Sequence, residues 1–305
     1  MFGVLNIHKP VGITSYDAVA IVRKRLAGET VQRRRRRRRR THRSIRVGHA
    51  GTLDPFANGV LVMCAGPATR LIDYIQKHPK RYIAGITLGA TSTTDDPEGD
   101  ITPIAGATAP AEERIGACLE EFLGLIDQVP PAHSAIHVDG QRAYKLARSG
   151  KEPDLSPRKV HVHQISLLRY EYPLLEIEVT CGTGTYIRAL ARDIGERLTT
   201  GGHCSALTRT AVGRFTIEDA VAPDDLDPAQ HLLPATTAVD AMPKLTVGLA
   251  HANMLANGRA VRLENPLESK TPEVAVLSPE GQLLAIASVK DDRRGLQPLK
   301  VLKAR

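Results

Sequence analysis

The stretch Gly48-His49-Ala50-Gly51-Thr52-Leu53-Asp54-Pro55-Phe56-Ala57-Asn58-Gly59-Val60-Leu61 decides the reading of this chain. Gly48, Gly51 and Gly59 permit backbone geometries that a side chain forbids. Pro55 holds the residue before it, Asp54, in an extended conformation. The apolar run at 60–62 then reads as a buried strand. A loop so constrained presents one carboxylate at a fixed angle beside a sheet. The same composition also makes an ordinary turn, with the carboxylate capping nearby backbone N–H groups. The choice between the two rests on the remainder of the sequence.

Upstream, residues 2–7 read as a strand, and Lys9-Pro10-Val11-Gly12 as a turn. Thr14 and Asp17 form a capping box ahead of Ala18, Val19, Ile21, Val22 and Leu26 at helical spacing, with Gly28 as the stop. Residues 29–46 are an arginine-rich insertion, expected to be disordered. Eight unbroken arginines at 33–40 carry the formal charge of +8. Without them, 33 Lys and Arg balance 33 Asp and Glu. RNA binding must therefore be argued from sites, because bulk charge reflects one segment. The run reads equally as a phosphate-contacting arm or a solvated tether.

Downstream, strands are expected at 60–65, 81–88, 159–169 and 174–181, with short ones near 135–138. Helices are expected at 68–75, 111–123, 142–148 and 186–198, and a loop at 91–99. The irregular interleaving points to a mixed sheet with helices. Proline-rich residues 223–244 read as a linker. After them come short strands around 260–263, 274–277, 283–287 and 299–302, two joined by a Pro279-Glu280-Gly281 hairpin. A small β-barrel fits that pattern.

Hydrophobic residues make up 42% of the 305 and charged residues 24%, the balance of a soluble globular protein. No apolar run reaches membrane-spanning length, and a cytoplasmic location is expected. Four scattered cysteines read as reduced thiols. His161 and His163 alternate on one strand face without further ligands at metal spacing, so no metal is expected.

A second segment, Cys181-Gly182-Thr183-Gly184-Thr185-Tyr186-Ile187-Arg188, ends a strand and opens a helix. Read plainly, it is a connection with Thr185 as N-cap. Read for chemistry, Arg188 stands one position off the apolar stripe, where its fork can grip a carboxylate from elsewhere. Paired with Asp54, it would keep that acid ionised and aimed as nucleophile or electrostatic stabiliser. Tyr82, opening a strand in Lys80-Arg81-Tyr82, is either an edge-of-core tyrosine or a platform for an extruded base.

Taken together and in order, several motifs resemble those of bacterial tRNA pseudouridine-55 synthases of the TruB type. They are His8-Lys9-Pro10-Val11-Gly12-Ile13-Thr14-Ser15, the Gly48–Pro55 loop, Gly66-Pro67-Ala68-Thr69-Arg70, Lys80-Arg81-Tyr82 and residues 88–95. Gln128-Val129-Pro130-Pro131-Ala132-His133-Ser134-Ala135 and Gly184-Thr185-Tyr186-Ile187-Arg188 follow. Asn257-Gly258-Arg259 and Pro298-Leu299-Lys300-Val301-Leu302 resemble the family's PUA-type RNA-binding barrel. The resemblance departs at His8, at His137 and at Thr208 within Leu207-Thr208-Arg209.

The resemblance implies an α+β fold: a mixed, largely antiparallel pseudouridine-synthase sheet flanked by helices, with a C-terminal PUA-like β-barrel. It implies a catalytic domain over 1–240 and an RNA-binding domain over 245–305. The implied reaction isomerises the T-loop uridine of tRNA to pseudouridine, with no metal or organic cofactor. By position, Asp54 corresponds to the catalytic aspartate, Arg188 to its paired arginine and Tyr82 to the tyrosine that stacks on the target base. Tyr186 and Leu207 correspond to uracil-pocket residues, and His49 to a histidine filling space vacated when the loop opens. Arg70 corresponds to a basic position near the RNA. The expected partner is the tRNA T-arm, with no membrane and no obligate protein partner, and the expected state is a monomer. A guide-RNA-dependent synthase of the dyskerin type and a tRNA-folding chaperone are the alternatives. An Asp-nucleophile phosphotransferase is disfavoured, because Asp54 lacks a second Asp at the usual spacing and no phosphate loop accompanies it.

Overall fold

A computed structural model of the chain describes residues 2–28, 45–132, 137–138, 141–142, 155–268 and 271–302. The arginine run, the His133-Ser134-Ala135 motif, the side chain of His137 and residues 143–148 of the expected helix lie outside the described residues.

In chain order, the first strands are β1 (Gly3–Lys9), β2 (Val47–His49), β3 (Asn58–Ala65) and β4 (Lys80–Leu88). Two short hairpins follow, β5 (Ala90–Ser92) with β6 (Ile101–Pro103), and β8 (His137–Val138) with β9 (Gln141–Arg142), on either side of β7 (Gly124–Gln128). Then come β10 (Arg158–Glu171), β11 (Leu174–Cys181), β12 (Gly202–Val212) and β13 (Phe215–Thr216). The main sheet runs β1-β3-β12-β4-β11-β10-β7, with β2 on β3 and β13 on β12. Its ladders are antiparallel except β12 on β3, where Thr208 faces Asn58 and Arg209 faces Gly59.

Helix α1 (Ser15–Leu26) begins with the expected capping box. Thr14 Oγ1 accepts from the Asp17 N–H, and Asp17 accepts from the Thr14 N–H. Ala18, Val19, Val22 and Leu26 pack on Leu5, Ile7, Leu61 and Met63. The alternate residues Val4, Val60, Val62 and Cys64 face the opposite side, against Leu71 and, on α2 (Ile72–Gln76), Ile75. β3 is therefore buried on both faces, which accounts for its unbroken apolar run. On the other half of the sheet, alternate β4 residues Tyr82, Ala84, Ile86 and Leu88 meet α3 (Glu112–Glu120) and α4 (Ile187–Arg197). The α4 stripe of Ile187, Leu190, Ala191 and Ile194 supplies that contact.

From Lys244 onward a second sheet forms, ordered β14 (Lys244–Thr246), β16 (Glu273–Leu277), β17 (Leu283–Val289), β18 (Gly295–Val301) and β15 (Val261–Arg262). Its hairpin at 278–282 closes with the Gly281 N–H donating to the Ser278 carbonyl, Gly281 taking φ +79°. Ala275, Leu283, Ile286 and Leu302 share one core with Val4, Val62, Leu71 and Ile75. Polar ties reinforce the seam: Tyr74 donates to Glu273 Oε2 at 2.8 Å, and Lys300 Nζ pairs with Asp73 at 2.6 Å.

The α+β expectation of a largely antiparallel sheet flanked by helices and followed by a small β unit holds. Three local expectations do not, and the central strand is absent from the sequence reading. β12, the strand at the heart of the sheet, was not read from residues 202–212. A helix, Leu249–Ala256, lies within the expected all-β tail. Residues 223–244 are not a loose linker: Ala235, Ala238 and Val239 are buried in the shared core, and Leu233 bridges to Val4. Thr91 and Ser92, within the expected loop, belong to β5.

Candidate active site

The Asp54 loop is fixed by three side chains from separate parts of the chain. Ser15, at the start of α1, donates from Oγ to the Leu53 carbonyl (2.9 Å) and accepts from the Leu53 N–H (2.8 Å). Lys9, fully buried, donates to the carbonyls of Pro10 and Ile13 and reaches that of Pro55 at 3.5 Å. Arg209 on β12 donates to the carbonyls of Val60 (2.6 Å), Gly51 (3.1 Å) and Thr52 (3.3 Å). The Gly12 N–H adds a bond to the Pro55 carbonyl. Buried backbone carbonyls need donors, and here cationic side chains supply them. Gly59 is required at its position: φ is +105°, and a β-carbon there would lie 2.3 Å from the Arg209 carbonyl.

Into this frame α4 projects Arg188, which is 4% exposed. Its Nε meets Asp54 Oδ2 at 3.0 Å, and its Nη1 meets Asp96 Oδ2 at 2.8 Å and the Thr94 carbonyl at 3.0 Å. One turn further, Arg192 pairs with Asp95 at 2.9 Å and donates to the Val129 carbonyl. Two arginines four residues apart thus grip two adjacent aspartates. Asp96 also accepts from Thr94 Oγ1 and the Glu98 N–H. The expected Asp54–Arg188 contact is present; Asp96 as the anchor on Arg188's far side was not anticipated.

Burial raises the Asp54 pKa above the ordinary carboxylate range. Arg188 opposes the rise, Asp96 adds to it, and Arg209 and Lys9 oppose it. The expected effect of Arg188, to hold the acid ionised, is opposed here: the guanidinium is shared between two carboxylates, and burial is the larger effect. The outcome is a carboxylate held by charge yet more basic than one in water.

A cavity of about 330 Å³ opens beside this carboxylate. Asp54, Tyr82, Tyr186, Arg188, Leu207 and Arg209 line it, together with Lys80 and the 182–185 turn. Tyr82 is 8% exposed and lies between Val179 and Arg209 in register. Burial raises its pKa, so the phenol keeps its proton. Lys80, also buried, donates to the Gln76 carbonyl and to Thr183 Oγ1 (3.1 Å). Burial lowers its pKa to about 8, and Arg209 pushes the same way.

Tyr186, not Thr185, is the N-cap residue of α4, without a side-chain cap. Gln128 holds it instead, accepting from the Tyr186 N–H (2.8 Å) and donating to its carbonyl (3.1 Å). His49 is half-buried on β2, next to cavity-lining Ala50 but not itself on the lining. Burial, then Arg209, lowers its pKa and keeps the imidazole neutral. Arg70 is also off the cavity, donating to the Val301 carbonyl of β18 at 2.6 Å across the seam between the sheets.

Sequence reasoning missed Arg209, Lys80 and Asp96 as site residues. The available signals were an arginine inside an apolar strand, a lysine flanking Tyr82, and adjacent acids matched to arginines spaced by one turn.

Comparison with known proteins bears on this geometry. Residues 37–187 match the model of the TruB family pseudouridylate synthase N-terminal domain, and residues 188–245 that of the tRNA pseudouridylate synthase B C-terminal domain. The tRNA pseudouridine synthase B of Leifsonia xyli is 42% identical over 93% of this chain and 91% of its own. That of Dehalococcoides mccartyi (strain BAV1) is 38% identical over 96% and 94%. Among solved structures, a chain of an H/ACA RNP bound to a substrate RNA containing 2′-deoxyuridine shares the fold. Its TM-score is 0.70 at 23% identity, covering 100% of this chain and 86% of that one. The chain belongs to the TruB family of pseudouridylate synthases.

Proposed function

We propose that this enzyme isomerises the T-loop uridine of tRNA, position 55, to pseudouridine, with Asp54 as the reacting carboxylate. The reading rests on one observation: an oriented, partly desolvated aspartate held at 3.0 Å by a buried arginine, beside a cavity that can accept a base, in a member of this family. The activity itself follows from the family and its tRNA pseudouridine synthase B relatives.

The reaction must break the bond between C1′ and N1, turn the uracil while it is held, join C5 to C1′ and finally release the C5 proton to solvent, with N1 taking one up. The carboxylate can attack C1′ and expel uracil, add to C6, or assist elimination across C1′ and C2′. Each route needs the ionised acid, which Arg188, Arg209 and Lys9 favour against burial. A desolvated carboxylate is also the better nucleophile or base once ionised. Tyr82, kept protonated, serves as a stacking face for the flipped base in place of a general base, offsetting part of the few kcal/mol of unstacking. Leu207 and Tyr186 bound the uracil. Arg70 faces the RNA from the seam, and His49 fills space behind the loop.

The division into a catalytic domain, 1–240, and an RNA-binding unit, 245–305, belongs to the same proposal, as do a monomeric state and a cytoplasmic location. Among the described residues no helix is long and apolar enough to cross a membrane. The test is an unmodified tRNA transcript incubated with the enzyme alone. Conversion of the T-loop uridine at position 55 is expected. Conversion that requires an added guide RNA would replace this reading with the dyskerin-type one.

A further inference from the structure

His161 and His163 are exposed neighbours on β10, with Nδ1 to Nδ1 at 2.7 Å and ring centroids 4.3 Å apart. They stand at the rim of the cavity. The His161 carbonyl accepts from the N–H of cavity-lining Gly182 at 2.8 Å. A β-carbon on Gly182 would lie 3.7 Å from His163 Nε2 and from His161 Cβ. The pair takes no part in holding the Asp54 loop or Arg188.

The contact constrains the protons. At 2.7 Å one Nδ1 must carry hydrogen and the other must accept it. The accepting ring then carries its own hydrogen on Nε2, so the pair presents an N–H donor whichever ring accepts. No third ligand completes a metal site: among the described residues, no group of three or more His, Cys, Asp or Glu could hold an ion. Both rings also present flat faces next to a turn, 182–185, that is rich in glycine and threonine. An exposed N–H donor beside cavity-lining Gly182, in a site that admits a polyanion, matches a phosphate oxygen.

We infer that the His161–His163 pair contacts a phosphate of the bound tRNA at the cavity mouth, adding an RNA contact distinct from the groups that act on the base. This rests on the proposed tRNA reading above. It extends the binding surface along β10, on the side of the cavity away from the second sheet's seam residues Arg70 and Lys300.

The experiment pairs the exposed double variant His161→Ala/His163→Ala with His163→Arg, in the full-length enzyme. Binding to unmodified tRNA and the single-turnover rate at saturating tRNA are measured separately. The double variant is expected to weaken tRNA binding about 3–10-fold, the loss of one polar contact to a charged group. Its saturated rate should stay within twofold of wild type, and His163→Arg should bind at least as tightly as wild type. Wild-type affinity in the double variant would overturn the inference while leaving the tRNA reading intact, provided turnover persists. A loss of saturated rate at unchanged affinity would overturn it by moving the pair into the chemistry. A chelation-induced fall in affinity that wild type shows and the double variant does not would also overturn it, assigning the pair to a metal.

Discussion

Replacing Arg209 with Lys tests whether the Asp54 loop is held from β12. Arg209 is 2% exposed and donates to three carbonyls, those of Val60, Gly51 and Thr52. A lysine ammonium on a flexible stem lacks the planar fork and can reach one of these groups at a time. Two buried carbonyls then lose a charged donor, at about 1–3 kcal/mol each. The 3.3 Å bond to Thr52 counts least, so the total is about 3 kcal/mol. For a chain of this size that corresponds to a fall of about 6 °C in Tm. The larger effect is on rate, because those carbonyls set where Asp54 stands, and a misplacement near 1 Å can cost about 100-fold. Thermal denaturation followed by circular dichroism reads the first quantity. Single-turnover release of tritium from C5-labelled tRNA reads the second, expected to fall about 10–100-fold at nearly unchanged tRNA affinity. A variant that loses Tm but keeps its rate would refute the claim that Arg209 positions the acid. An unchanged Tm would refute the energetic accounting.

Asp96→Ala should lower Tm, with a cost of about 2–3 kcal/mol. That is less than the full penalty for orphaning a buried charge, because Arg188 keeps Asp54 and the Thr94 carbonyl; the same variant should lose rate more than tRNA affinity, and the reverse split would count against a positioning role. Gly59→Ala forces an unfavourable positive φ and a backbone clash, for about 3 kcal/mol or more, and urea denaturation should show a shifted midpoint at constant slope. Lys9 and Lys80 have pKa values lowered from 10.5 to about 8, so between those pH values the unfolded chain binds more protons than the native one, and stability should rise with pH across that window. Each lysine contributes up to about 3 kcal/mol to that rise, and Lys80→Met should remove roughly half of it; denaturant titrations at pH 8 and pH 10 that show no difference between variant and wild type would contradict this.

Much of the fold was legible because local rules and tertiary packing agree. The Thr14–Asp17 box, the α4 stripe and the alternating β4 and β11 residues each serve the same face locally and globally. β12 escaped because Gly201-Gly202 opens it, Ser205, Thr208 and Thr210 interrupt it, and an arginine sits inside it. Its place at the sheet's centre depends on partners 114 to 150 residues away. Residues 223–244 look like a linker because prolines and aspartates dominate locally, yet Ala235, Ala238 and Val239 fill a core that two sheets share. At the site, Asp54 and Arg188 were readable from their unusual surroundings. Asp96 was not, because an acid in a polar turn looks like any other until its arginine is seen to be buried. Lys9 likewise reads as a surface lysine until three backbone carbonyls converge on it.

The most direct measurement of the central claim is tritium release from C5-labelled tRNA by Asp54→Asn. The substitution keeps shape while removing the charge. Since burial raises the pKa of Asp54, its charged form costs stability above the ordinary carboxylate range, and the asparagine variant should melt no lower than wild type at pH 7. An intact fold, tRNA binding within a few-fold of wild type and no release above the uncatalysed level are predicted. Release at the wild-type rate by the folded variant would contradict the account.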